Sequence, residues 1–399
     1  MSVTAAKGFV ASGIACGIKP SGAPDLAIVA VATHAPVTAA GVFTSNLACA
    51  APVQVSRSHL ADGRAAAVVL SSGNANAATG EQGRRDALIM CAIAAESLGV
   101  ATDDVLVCST GLIGIPMPMA PVEAGVPIAV AALEGGATAG EAAADAILTT
   151  DTARKEGIAS ATLADGSTIT VGGMAKGAAM LAPAMATMLA VLTTDAAVDS
   201  DALQQSLSAG VSNTFNSLLV DGCTSTNDTV LVLANGVAGN PTITPASPDH
   251  AALTAAITSV CDQLAEAMAM DAEGATKLAR ITVTGAASDD DAHRAARKVA
   301  GSQLVQCSLY GCDPYWGRVL SELGTSGAQF DPEQVAIAYN GITVCRDGVA
   351  VARDEAALAM SMKGRNIDIT CDLRAGSGQA TMRFTDLTHA YIDENTGTS

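Results

Sequence analysis

The amino-acid sequence predicts a mixed α/β protein of two domains. Three observations predict it. The chain has 399 residues, more than one hydrophobic core usually organises. Short β-rich apolar runs alternate with helix-period segments along its length. Hydrophobic residues make up 49% and charged residues 15%, enough apolar material for buried interiors and far from a disordered composition. Aromatics are only 3%, so the cores must be built from Ala, Val, Leu, Ile and Met.

The elements follow in order. Residues 25–33 (DLAIVAVAT) and 66–71 (AAVVLS) are strands, a helix covers about 81–98, and a short strand covers 105–109 (VLVCS). Residues 138–149 are helical, and 157–172 form a hairpin whose turn signal is Asp165-Gly166. The segment 173–194, small residues and methionines, fits neither template. A helix near 200–217, a strand at 229–234 and a long helix near 250–270 come next. Strands at 279–285, 334–339, 343–346, 366–373 and 379–384 complete the chain. Proline and glycine at 236–248 mark a loop, and the split between a larger N-terminal and a smaller C-terminal domain is expected near 240–280.

Composition excludes several function classes. A net charge of −18 repels phosphate backbones, so no nucleic-acid partner is expected. The ten cysteines contain no CxxC pair and the five histidines are scattered, so no metal is expected. The cysteines read as small buried residues of a reducing compartment. The start lacks the pattern of a signal peptide, and no stretch has the apolar length of a membrane span. The expected location is the cytoplasm. Phosphate-loop and well-placed dinucleotide motifs are missing, and no cofactor is expected.

Chemistry concentrates in residues 172–195, GGMAKGAAMLAPAMATMLAVLTTD. Small side chains lead past Pro183 to Ala186-Thr187, and an apolar strand-like stretch follows. Small residues before the threonine let the backbone bend, so its hydroxyl can attack the preceding carbonyl. An N-to-O acyl shift then makes an ester that water releases, freeing the α-amine of Thr187. That amine titrates near about 7.7–8.0 in model peptides, and it can serve as general base to the hydroxyl of its own residue. The plain alternative is a buried strand start.

The strings VCSTGLIG, AILTTD, KGAAMLAPAMATML, DGCTSTNDT, DAEGATK, DPYWGR and HAYIDEN stand in this order. Together they resemble the ornithine acetyltransferase (glutamate N-acetyltransferase) family from about Lys7 to Ser399. The resemblance implies sandwiched β-sheets with outer helices, as in N-terminal-nucleophile enzymes, plus a smaller C-terminal α/β domain. It implies cleavage between Ala186 and Thr187 into an α chain, 1–186, and a β chain, 187–399, that stay associated as a heterotetramer of two α and two β chains. It further implies a ping-pong transfer in which acetyl passes from N2-acetylornithine to Thr187 and then to glutamate, in arginine synthesis. Some members also accept acetyl-CoA.

Individual roles come from the same resemblance. Thr110 and Gly111 would form the oxyanion hole, where losing one donor typically costs about 10²–10³ in rate; alone they would pass for a turn at a strand end. Lys176 would meet a substrate carboxylate, and Glu273 the cationic side of ornithine. Thr149 and Thr150, Asn395 and the final Ser399 (or Thr398) complete the substrate contacts, together with Thr187 itself. The pattern has departures. Ser71, Ala78, Ala179 and Tyr315 replace the family's usual asparagine, cysteine, glycine and asparagine, and the tail is one residue short. Two other readings belong beside this one. A related self-processing aminopeptidase or amidohydrolase would pass its acyl-threonine to water. An uncleaved, non-catalytic paralogue would keep the fold alone.

Overall fold

The computed structural model describes residues 2–182 and 188–396, so Ala186, Thr187 and Ser399 lie outside the described residues. The chain divides into two compact units. One gathers Met1–Met180, Ala184–Asn216 and Cys223–Met268, and the other Leu181–Pro183, Ser217–Gly222 and Ala269–Ser399.

Two sheets stack face to face in the first unit. The smaller has the order β1 (Phe9–Ile14), β2 (Leu26–Val31), β5 (Ala67–Asn74), β6 (Val105–Leu112). The larger has the order β4 (Arg64–Ala65), β3 (Val37–Phe43), β11 (Thr229–Ala234), β9 (Leu189–Thr194), β8 (Thr168–Lys176), β7 (Lys155–Thr162). Val29, Leu70 and Leu106 of one sheet share a buried cluster with Met174, Leu189, Val191 and Leu231 of the other. The opposite face of the smaller sheet is covered by α1 (Ala51–His59), α2 (Gly80–Leu98) and α3 (Met119–Ala131), with Val55, Met90 and Val126 against Ile28, Val69 and Val107. Both faces of β2 and β9 are therefore buried at every residue. That is why these strands read as unbroken apolar runs instead of alternating ones.

The helix α4 (Ala137–Ala146) lies against β1, where an added Cβ on Gly13 would stand 1.9 Å from the Ala142 carbonyl oxygen. On the larger sheet, α5 (Ser200–Ser212) packs on β3, and α6 (His250–Met270) brings Val260 and Leu264 down on Gly173 of β8. The predicted hairpin is β7–β8, with Gly166 at φ +85° in its turn. The helix expected over 200–217 stops at Ser212, and Phe215–Ser217 forms a separate 3₁₀ turn.

The second unit holds one seven-stranded sheet. Its order is β10 (Leu218–Leu219), β17 (Gly378–Thr385), β12 (Leu278–Ala286), β16 (Asn366–Asp372), β13 (Ala336–Tyr339), β14 (Ile342–Arg346), β15 (Val349–Ala350). Along β16, buried Ile367, Ile369 and Cys371 alternate with exposed Asn366, Asp368 and Thr370, as a sheet covered on one face requires. The cover is α7 (Asp289–Ala300), α8 (Gln303–Tyr310), α9 (Trp316–Gly324) and α10 (Glu355–Ser361), which share the core with Ile281, Ile337 and Phe384. A short α11 (His389–Glu394) follows. The sequence reading places no helix in 289–324, although Ser288 caps α7, three aspartates open it and Arg297 and Lys298 close it, a sequence well matched to the helix dipole. Stacked sheets, outer helices and a further α/β unit make up the expected fold class.

Candidate active site

Thr110 and Gly111 lie near the end of β6, beside Ser72 and Gly73 of the parallel strand β5. Thr110 is buried and Gly111 is exposed. Gly111 has φ +136°, and a Cβ there would stand 2.3 Å from the Gly73 carbonyl carbon. Only glycine fits that combination of backbone shape and close approach. Asn227, just before β11, donates from Nδ2 to the carbonyls of Ser109 (2.8 Å) and Ala75 (2.6 Å). It therefore ties the end of β6 in one sheet to the start of β11 in the other.

The strand β9 begins two residues after Thr187, between antiparallel β8 and parallel β11. Lys176 is the last residue of β8 and pairs with Leu189. Asp228 holds the Met188 amide N–H at 2.9 Å, and Met188 returns its carbonyl to the Thr229 N–H at 3.2 Å. Thus the end of β8 and the approaches to β9 and β11 converge on the residue that follows the expected nucleophile.

Lys176 is buried, where an ammonium needs polar company. Its Nζ donates to Thr149 Oγ1 at 2.6 Å and lies 3.7 Å from Asp151. Asp151 also takes Lys155 Nζ at 2.5 Å and the Gly177 N–H at 2.6 Å. Burial alone would raise the Asp151 carboxyl, but the positive charges of Lys176 and Lys155 overcome it and hold that carboxyl well below the usual carboxylate range. Of the two expected threonines, Thr149 is the one on Lys176, while Thr150 is exposed. Asp228 is the reverse case. Burial pushes its carboxyl well above the ordinary value, and the Met188 amide, the Ser225 side chain and the Lys176 charge offset only part of that.

In the second unit, buried Glu273 accepts from Asn395 Nδ2 at 2.7 Å, and Asn395 also donates to the Tyr391 carbonyl at 2.9 Å. The turn that carries Glu273 lies directly on α11, since a Cβ on Gly274 would come 2.3 Å from the Tyr391 nitrogen. The structure thus brings together Lys176 with Thr149, and Glu273 with Asn395. Asp151, Lys155, Asn227 and Asp228 were not singled out from sequence. The signal that could have found Asp151, Asn227 and Asp228 is their place inside motifs already noted, AILTTD and STNDT, whereas Lys155 lies outside both. Among the described residues, no three His, Cys, Asp or Glu side chains cluster as a metal site, and no helix is long and apolar enough to cross a membrane.

Comparison with known proteins adds the context. The sequence pattern of the ArgJ family matches residues 10–397. A protein named arginine biosynthesis bifunctional protein ArgJ from Symbiobacterium thermophilum is 49% identical, over 98% of this chain and 97% of that one. The protein of the same name from Streptomyces coelicolor is 46% identical over the whole length of both. The crystal structure of the Bacillus halodurans protein of that name aligns at 39% identity with a TM-score of 0.50, covering 51% of this chain and 96% of that chain. With nearly all of its length matched by the family pattern and by such relatives, this chain belongs to the ArgJ family.

Proposed function

We propose that the chain cuts itself between Ala186 and Thr187 and then acts in the cytoplasm as an acetyltransferase of arginine synthesis. Thr187 Oγ attacks the acetyl carbonyl of N2-acetylornithine while its proton passes to the α-amine of the same residue. That proton leaves with the ornithine amine, and an acetyl-threonine ester remains. The amine of glutamate then attacks the ester and regenerates the hydroxyl. Thr110 and Gly111 stabilise the oxyanion in both halves. Lys176, with Thr149 against it and Thr150 next in the chain, receives a substrate carboxylate, and Glu273 with Asn395 and Ser399 receives the cationic end. Acetyl-CoA as a second donor is in keeping with the word bifunctional in the relatives' names. The two fragments, 1–186 and 187–399, act together as a heterotetramer.

The observation that carries this reading is the junction at Met188. There the strand following Thr187 enters the sheet between Lys176 and Asp228, on a ladder that Asn227 ties to the Thr110 end of β6. Lengths support it as well. Curated relatives align end to end with this chain, whereas nearly all of the solved Bacillus halodurans chain spans only 51% of it.

Denaturing electrophoresis with N-terminal sequencing tests the reading. Two fragments are expected, the second beginning Thr-Met-Leu-Ala. Thr187→Ala should stay whole and transfer no acetyl group, and Thr187→Ser should keep part of both activities. A fully active, uncut wild-type chain would overturn it. Release of free acetate without transfer to glutamate would instead make the protein a hydrolase.

A further inference from the structure

Asp228 is fully buried just before β11. One of its oxygens accepts the Met188 N–H, while Oδ2, buried too, has no hydrogen-bond partner among the described residues. A buried carboxyl oxygen without a hydrogen-bond partner among the described residues is costly, so the place of this carboxyl calls for a use. The strand register supplies one. Thr229 lies beside Leu189 in parallel pairing, which sets Asp228 beside Met188. Met188 is then held at both polar groups of its backbone, N–H by the Asp228 carboxyl and C=O by the Thr229 amide.

We propose that Asp228 is a positioning residue for the nucleophile: by clamping the peptide link between Thr187 and Met188, it keeps the Thr187 hydroxyl aligned during both self-cleavage and acetyl transfer. This rests on the reading of Thr187 as the nucleophile. The carboxyl touches neither substrate nor a reacting atom in this role, and acts only through the backbone it holds. Alignment matters because a misplacement of about 1 Å can cost roughly 10²-fold in rate. Burial pushes this carboxyl well above its ordinary value, and asparagine is its nearest isostere. Asparagine keeps an acceptor oxygen for the Met188 N–H.

The experiment follows self-cleavage of the full chain by denaturing gel, and kcat and KM of the processed enzyme. Asp228→Ala should slow cleavage and lower kcat at least about tenfold each, with KM changed less than about threefold. Asp228→Asn should restore both to within about threefold of wild type. Asp228→Glu, which keeps the carboxyl but displaces it by one methylene, serves where the alanine chain does not fold, and it should show the same loss in kcat without loss in KM. Wild-type rates in Asp228→Ala or Asp228→Glu would overturn the clamp, as would an asparagine variant no faster than alanine. A wild-type chain that is active while uncut sinks the nucleophile reading itself. A wild-type chain that cuts while the Asp228 variants cut equally fast sinks only this inference.

Discussion

Two aspartates in the first unit, Asp151 and Asp228, have buried side chains, yet their surroundings drive their carboxyl groups in opposite directions. Asp151 has Lys155 and Lys176 against it; Asp228 has the Met188 amide, the Ser225 side chain and a more distant charge. The difference decides how each contributes to stability as pH changes. The folded-state pKa of Asp151 is depressed, so its stabilisation is full above the ordinary carboxylate range. It is lost as pH falls from that range toward the folded value. Removing one partner of a buried charge pair typically costs about 3–5 kcal/mol. Asp151→Asn is therefore expected to lose stability of that order at pH 7 in chemical denaturation. The gap to wild type should narrow steadily below about pH 4, where the unfolded carboxylate of the wild type is taking up protons. A gap that stays constant between pH 7 and pH 3 would show that Asp151 does not carry the charge assigned to it.

At the scale of elements, the end of β6 is fixed less by Thr110 than by the glycine after it. Gly111 crosses the end of β5 at a distance that excludes any side chain, and this close crossing fixes the stretch of strand that carries Thr110. Gly111→Ala must push the two strand ends apart. It is expected to lower kcat for acetyl transfer at least as far as Thr110→Ala, about 10²–10³-fold, with KM little changed. A Gly111→Ala enzyme with normal turnover would remove the strand end from the reaction. The sequence marked this pair through the VCSTGLIG string, and it marked β2 and β5 through their continuous apolar runs, whereas β9 lies in the segment 173–194 that fits neither template, with only its apolar start reading as strand-like. It did not mark α3, MAPVEAGVPIAVA, because alanine and valine lie all around that helix and Pro127 sits inside it, leaving no polar face to set a period. Nor could periodicity single out Asp228 or Asn227. Their partners Met188 and Ser109 are 40 and 118 residues away, and a buried carboxyl looks like any other aspartate until the fold supplies its neighbours. Lys176 was the exception, since a lone lysine in an uncharged segment already requires a partner.

For the molecule as a whole, the proposed cut at Ala186-Thr187 falls where it cannot separate the halves. The larger sheet of the first unit alternates between them. Strands β4, β3, β8 and β7 come from 1–186, and β9 and β11 come from 187–399. Every residue of β9 from Leu189 to Thr194 pairs with β8, and every residue of β11 from Thr229 to Ala234 pairs with β3. Leu189, Val191, Leu231 and Leu233 then complete the core against Val29, Leu70 and Leu106 from the other fragment. Dissociation would break both ladders and expose that core, which is the same as unfolding the unit. The cut can therefore free one amine without loosening the structure around it. The expected outcome is that both fragments elute together, in equal amounts, from a sizing column under native conditions. They should part only in denaturant, over the same concentrations at which the far-ultraviolet dichroism is lost. Fragments that separate while the dichroism is intact would mean that the sheet is not shared between the two halves in the cleaved protein.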